Sequence, residues 1–267
     1  MIRSMYTAAT GMEAQQLYMD AISHNLSNVN TNGFKRSKME FHDLMYQTLR
    51  EPGVRNPEGE MAPAGIEVGL GVRPAATHRI FEQGSVNRTD NPLDVAISGE
   101  GFFQVELPDG GIAYTRDGQF KLSSDGTMVT SSGYRWFPDI NIPSDAESVS
   151  ISPDGLVEAT LAPRSEGEPS ETVELGQVEL VRFVNPAGLK GLGGNLFAET
   201  EASGAPIIRL PGEEGAGTLM QGFVEASNVQ IVEEMVNMIT AQRAFEIVSK
   251  SIQVSEEMMQ TANNLKR

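Results

Sequence analysis

Cysteine is absent from the 267 residues, which excludes disulfides, thiol nucleophiles and thiolate metal sites. Basic residues are scarce: 20 Lys and Arg against 36 Asp and Glu leave a net charge of −16. The largest basic cluster is Phe34-Lys35-Arg36-Ser37-Lys38, so no face is expected to neutralise a nucleic-acid backbone. No apolar run reaches the roughly 18 residues of a membrane-spanning helix. The apolar stretch after Arg3 is broken by Thr7, Thr10 and Gly11 and ended by Glu13 and Gln15-Gln16. A cleaved secretory signal is therefore not expected, and any export uses a route that reads none.

Glycine and proline are missing from two places, between Ala14 and Gly33 and after Gly222. Both read as helices, one at each end of the chain. In the first, Met5, Met12, Met19 and Leu26 recur every seven residues, with Ala8, Gln15, Ile22 and Val29 three later, an a/d pattern that stops at Asn28-Val-Asn-Thr-Asn-Gly33. In the second, Ile231, Met238, Phe245, Ile252 and Met259 recur every seven, flanked by Ala241, Val248 and Ala262 and widened by Val232, Met235 and Ile239. Ser227-Asn-Val-Gln230 has the form of a capping box, and Glu246 and Lys250 are spaced for an i,i+4 pair. Lys266-Arg267 suit the negative end of this helix dipole.

A helix of this length has nothing in a small domain to lie against except the helix at the other terminus. Burying the stripe from Ile231 to Met259 is worth on the order of 10 kcal/mol, more than one narrow partner can supply. The expectation is that the two ends pair and that the remaining apolar surface is buried between copies of the chain.

Between the helices the pattern is β. Leu93–Ser98, Phe102–Leu107 and Glu179–Val184 read as strands, and Asp109-Gly110, Asp117-Gly118, Asp125-Gly126 and Asp154-Gly155 as tight turns. Residues 163–171 and 211–217 read as exposed acidic loops. The expected fold is α+β: terminal helices paired as a coiled coil, an extended connector and a central all-β domain. The divisions are 1–33 with 227–267 for the helical part, 34–92 for the connector and linking region, and 93–226 for the β-rich part and return connection.

Chemistry-bearing patterns are sparse. His24, His42 and His78 are scattered without metal-site spacing. Ser98 lacks the first glycine of a nucleophile elbow. Gly188–Gly194 lacks the ending of a phosphate loop and reads as a flexible loop. Asp90 and Asp94 are the pair one would pick for acid and base, but Asp90 is expected to open a turn and Asp94 to bond nearby backbone amides. No catalytic residue, metal or cofactor is expected. The methionines on the helical stripes are expected as seam residues.

Two long segments, Ser23-His-Asn-Leu-Ser-Asn-Val-Asn-Thr-Asn-Gly-Phe-Lys35 and Asn91-Pro-Leu-Asp-Val-Ala-Ile-Ser-Gly-Glu-Gly-Phe-Phe-Gln-Val105, resemble signatures of the bacterial flagellar rod and hook family. Tyr114-Thr-Arg-Asp-Gly-Gln-Phe120, Gln221–Val229 and Glu234–Glu246 continue the resemblance end to end. The opening Arg3–Met12 and the segment Asp43–Gly53 are similar to the distal-rod branch. Tyr6, Ser27, Phe245 and Trp136 depart from the usual residues at their positions and bear only on packing.

The resemblance implies a non-enzymatic structural subunit of a stiff, straight helical tube. That tube transmits motor torque across the periplasm, with terminal helices forming its inner layer and a β domain facing outward. It implies export by the flagellar type III apparatus, polymerisation with itself, and contacts with proximal rod proteins, hook protein and the P-ring and L-ring proteins. No nucleic acid or membrane insertion is implied. Assembly residues are expected at Met5, Met12, Met19, Ile22, Leu26, Ile231, Met235, Met238, Phe245, Val248, Ile252 and Met259. Motif residues are Asn25, Asn28, Asn30, Thr31, Gly33, Phe34, Asp94, Gly99, Gly101, Phe102, Ser227 and Asn228. The rod-type stretch near 46–65, with Pro52, Pro57 and Pro63, is expected to stiffen the shaft. The rivals are a proximal rod or hook paralogue and, from another class, a secreted cell-wall hydrolase using Asp90 and Asp94.

Overall fold

The computed structural model describes residues 2–53, 64–162 and 171–265. Its architecture is α+β, with one helix at each end, α1 (Ile2–Ser27) and α2 (Ile231–Asn264), and short strands between them. The chain divides into two compact units: Met1–Leu26, Ser37–His78 and Gln230–Arg267 form the first, Ser27–Arg36 and Arg79–Val229 the second.

Helix α1 ends where the Asn-rich run begins, as expected of residues that hydrogen-bond their own backbone and tolerate turns. Ala14, Ile22 and Asn25 are its buried positions, and Met5, Met12, Met19 and Leu26 are half-buried. On α2 the covered line steps by four and three through Glu234, Met238, Ala241, Phe245, Val248, Ile252, Ser255 and Met259, the spacing of one face of a helix. Two expected members are off it: Ile231 and Met235 are about half exposed. Glu234 takes the covered place at that end, and Met235, one residue on, is turned about 100° away. Gly11 of α1 faces Val248 of α2, so that a methyl added at Gly11 would lie 3.8 Å from Cγ1.

The capping box does not form. Gln230 is the N-cap without a side-chain bond, and Ser227 Oγ instead accepts from the Val229 N–H at 3.3 Å. The hydroxyl lies three residues before the cap and closes a local turn. Glu246 pairs with Arg243 at 2.9 Å rather than with Lys250, the i,i+3 neighbour being as accessible as i,i+4. Lys266 and Arg267 lie outside the described residues.

The stretch read as a connector carries strands. Ser37–Asp43 pairs with Val72–Arg79, and Tyr46–Arg50 forms an antiparallel hairpin with Ile66–Gly69. Within the first unit α1 is tied to these strands. The Asn25 side-chain amide donates to the Ser37 carbonyl at 2.9 Å while its carbonyl oxygen accepts the Ser37 N–H at 2.8 Å. Tyr18 meets Phe41 edge-on at 6.2 Å.

The second unit is built on a seven-stranded antiparallel sheet in the order Lys190–Gly193, Leu196–Ala198, Ile112–Thr115, Phe103–Glu106, Arg135–Phe137, Met128–Thr130, Phe120–Leu122. A three-stranded meander, Ala146–Ile151, Leu156–Leu161 and Thr172–Gln177, accompanies it. Alternation at Phe102 and Phe103 sends neighbouring side chains to different cores. Phe103 packs edge-on against Phe120 and Trp136, which stack at 4.2 Å, whereas Phe102 joins Tyr114, Phe183 and Phe197.

Three of the four Asp-Gly pairs close hairpins, with φ of 80° at Gly110, 81° at Gly126 and 86° at Gly155. Asp117-Gly118 does not. A Cβ on Gly118 would lie 1.6 Å from the Val95 carbonyl oxygen, so its glycine serves close backbone approach instead of a left-handed turn. Gly188–Gly194, read as a flexible loop, is a correction: it holds the end of a short 3₁₀ turn and the strand Lys190–Gly193, which hairpins onto Leu196–Ala198.

Candidate assembly surface

The first unit presents an apolar face that no described residue covers. On α2 and its C-cap Leu265, the residues Val232, Met235, Val236, Ile239, Ile247, Val254, Met258 and Leu265 are 45% to 83% exposed. Ile247 and Val254, seven apart, and Met258 and Leu265, seven apart, place a second stripe on the side of the helix opposite the covered line. Water contact with this much aligned hydrocarbon is unfavourable at roughly 25 cal/mol per Å², and aligned patches of this kind mark interaction surfaces. The hairpin of the same unit adds exposed Met45, Tyr46, Leu49 and Ile66.

Tyr18 of α1 lies near two carboxylates of α2: burial, then Glu234 and Glu233, push the Tyr18 phenol above its ordinary value. Of the expected assembly residues, Met238, Phe245, Val248, Ile252 and Met259 share the half-covered line of α2. Ile231 and Met235 belong to the uncovered side.

Several motif residues build the second unit's interior, whereas Asn25 belongs to the first unit. Gly33, at φ 68°, donates its N–H to the Glu225 carbonyl at 2.8 Å. A Cβ there would lie 2.6 Å from the Asp117 nitrogen. Phe34 is buried beside it, and Lys35 Nζ reaches Glu225 Oε1 at 2.5 Å and the Glu82 carbonyl at 2.6 Å. Arg116 Nε stands 3.2 Å from Glu225 Oε2. Desolvation of Lys35 and Arg116 pulls both below their ordinary values, against the opposing pull of Glu225. Asn228 joins the segments on either side: its Oδ1 accepts the Arg36 N–H at 2.8 Å and its Nδ2 donates to the Ile80 carbonyl at 2.8 Å.

Thr31 Oγ1 lies 3.3 Å from Asn28 Oδ1, whereas Asn30 is exposed. Gly99 and Gly101 bracket the turn between strands Val95–Ser98 and Phe103–Glu106. Pro52 is exposed just after the strand Tyr46–Arg50; Pro57 and Pro63 lie outside the described residues.

The carboxylates picked as acid and base have structural partners. Asp90 pairs with Arg88. Asp94 accepts from the Thr89 hydroxyl at 2.7 Å and the Asn91 side-chain amide at 3.0 Å. These are side-chain donors, not the backbone amides expected: Thr89 and Asn91, both exposed, stand close enough in the chain to reach the Asp94 carboxylate. Among the described residues no three His, Asp or Glu side chains gather as a metal site.

Sequence reasoning missed the Lys35–Glu225–Arg116 cluster. Its members stand in three separate motifs, and only the third dimension pairs them. It also missed Ile247, Val254 and Met258, although a second seven-residue spacing was there to be read.

Three family models match successive parts of the chain. They are "Flagella basal body rod protein" over residues 5–35, "Flagellar hook protein FlgE/F/G D1 domain" over 96–159 and "Flagellar basal body rod FlgEFG protein C-terminal" over 220–265. The flagellar basal-body rod protein FlgG of Borreliella burgdorferi is 51% identical, covering 100% of both chains. That of Buchnera aphidicola from Schizaphis graminum is 51% identical over 99% of this chain and 100% of its own, and that of Bacillus subtilis 40% over 100% of both. With this identity running the full length, the chain belongs to the flagellar basal-body rod protein family, as a structural subunit rather than an enzyme.

Proposed function

We propose that copies of this chain stack into the distal part of the flagellar rod, a straight, stiff tube that carries motor torque across the periplasm to the hook. The observation that carries this reading is the second apolar stripe on α2, which the single chain leaves in water. Stacked copies would cover it at roughly 1.5–3 kcal/mol per large side chain. Many such contacts in parallel resist shear between subunits.

In this reading α1 and α2 pair within each copy as an antiparallel coiled coil. The approach of Gly11 to Val248, and of Tyr18 to Glu233 and Glu234 nearer the start of α2, supports that direction. The helical segments line the tube and the β-rich unit faces outward. Its acidic, hydrated surface suits a shaft that turns inside the P-ring and L-ring proteins. Proximal rod proteins and hook protein are the neighbours at the two ends, and the type III apparatus exports the chain without signal cleavage.

The stretch 46–65 acts as a wedge against adjacent subunits, and the exposed Met45, Tyr46 and Leu49 give it something to bury. The division into a helical part (1–33, 227–267), a linking region (34–92) and an outer β part (93–226) belongs to the same proposal. The test is the purified full chain followed by sedimentation and circular dichroism against concentration. Assembly with a gain of order in the terminal segments is expected; a permanently monomeric chain at high concentration overturns the reading.

A further inference from the structure

Glycine follows asparagine once in the chain, at Asn32-Gly33. In such a pair the side-chain amide is most open to attack by the next backbone nitrogen, because no Cβ shields that nitrogen. In the second unit this one peptide group is gripped at both polar atoms. The Asn32 carbonyl accepts the Asn195 side-chain amide at 2.8 Å, and the Gly33 N–H donates to the Glu225 carbonyl at 2.8 Å.

Both grips are anchored. Asn195 stands at φ 59° in the turn between the strands Lys190–Gly193 and Leu196–Ala198, its own carbonyl accepting the Thr115 hydroxyl at 2.9 Å. Glu225 lies in the strand Phe223–Glu225, which pairs with Val86–Arg88. Gly33 itself sits against the backbone of Arg116 and Asp117. A peptide group held in this way neither gives up its N–H proton nor turns its nitrogen toward the side chain before it without a local opening.

We propose that Asn32 is a site of spontaneous deamidation, silent in the folded chain and active whenever residues 27–36 leave the second unit. The Gly33 nitrogen attacks Asn32 Cγ and forms a five-membered imide; the Cγ–Nδ2 bond breaks, and Nδ2 departs as ammonia with the proton that Gly33 gives up. One water then opens the ring. Cleavage at Cγ leaves an aspartyl residue. Cleavage at the backbone carbonyl carbon leaves an isoaspartyl linkage, in which the main chain runs through the former side chain and is one methylene longer.

The longer chain does not fit. Both grips belong to a single peptide group, and in the isoaspartyl product the carbonyl that Asn195 held no longer adjoins the Gly33 nitrogen. Lys35, two residues on, has to bring Nζ to 2.5 Å from Glu225 Oε1 with both side chains sealed from solvent, and the added atom shifts it out of register. Modification of the unfolded chain therefore blocks closure of the second unit.

The test ages the full chain in urea and, in parallel, folded in buffer at the same mildly alkaline pH. The peptide containing Asn32 is followed by mass and by isoaspartyl methyltransferase labelling. The folded chain is expected to react at this position at least about tenfold more slowly than the unfolded one. Asn195→Asp keeps a residue that tolerates the positive φ but replaces the donor by an acceptor. It is expected to speed the reaction in the folded chain several-fold, with the rate in urea and the amide exchange of Val105 in the central sheet unchanged. On dilution from urea, refolding yield is expected to fall in step with isoaspartyl content. Asn32→Gln, which must close a six-membered ring, is expected to keep its yield.

Equal rates in folded and unfolded chains overturn the proposal, and an unaltered folded-chain rate in Asn195→Asp overturns the grip as the cause of protection. Isoaspartyl chains that refold at wild-type yield overturn the block on closure. An equal loss of yield in aged Asn32→Gln traces the damage to another residue and overturns it as well.

Discussion

Lys35 and Glu225, 190 residues apart in the chain, meet at 2.5 Å with both side chains essentially sealed from solvent. Glu225 also accepts the Gly84 N–H at 2.8 Å and faces Arg116. One carboxylate therefore holds two buried cations and joins the segment after α1 to the segment before α2. Removing one partner of such a group strands the other charge. Glu225→Leu is expected to cost about 3–5 kcal/mol in denaturant unfolding of the second unit. Lys35→Met combined with Glu225→Leu is expected to recover part of that loss, since only Arg116 then lacks its counter-charge. Additive losses in the double variant would show that the two residues are not coupled.

The two sides of α2 predict two different phenotypes. Val254 is exposed in the single chain, so Val254→Asp is expected to leave the monomer's stability within about 0.5 kcal/mol of wild type while abolishing assembly. Phe245 lies on the half-covered line. A charge there is expected to reduce monomer helix content as well as assembly, because it is placed where the first unit already packs. Rods formed normally by Val254→Asp would refute the assignment of the outer side.

The same helix shows what was legible in the residues. Seven-residue spacing identified α2 and most of its covered line, since burial on a helix repeats with the turn. The outer stripe was passed over because a helix with two apolar sides carries two seven-residue registers, and the first one found accounts for the helix by itself. Turn chemistry was legible where glycine supplies a positive φ, at Gly110, Gly126 and Gly155. It misled at Gly118, where the requirement is space for the Val95 carbonyl. Ser227 misled in another way: its hydroxyl satisfies the Val229 N–H, leaving the helix to begin three residues later than a capping serine dictates.

Gly33 is constrained twice, by a φ of 68° and by the 2.6 Å that would separate an added Cβ from the Asp117 nitrogen. Backbone bounds the space, so no flexible side chain can yield. Gly33→Ala is expected to destabilise the second unit by more than the roughly 1 kcal/mol of the left-handed strain alone. Thermal unfolding of the full chain measures it, and a loss below that figure would mean the segment shifts freely.

Asp117 gives the sharpest pH dependence. Burial is the main cause holding its carboxyl above the ordinary value, with Asp94 adding to it and the Gln119 N–H, at 3.1 Å from Oδ1, opposing. An acid whose folded value is raised binds its proton more tightly when folded. Its contribution to stability is therefore full below the unfolded value of 3.8 and is lost as pH rises through the folded one. At neutral pH the ionised group is a standing penalty. Asp117→Asn keeps an oxygen for the Gln119 N–H and removes the charge, so it is expected to raise the unfolding midpoint at pH 7 and to lose that advantage below about pH 4. Midpoints of both proteins across pH 3 to 8 test this: an advantage that grows as pH falls would reverse the sign and show that the hydrogen bond, not burial, governs the carboxylate.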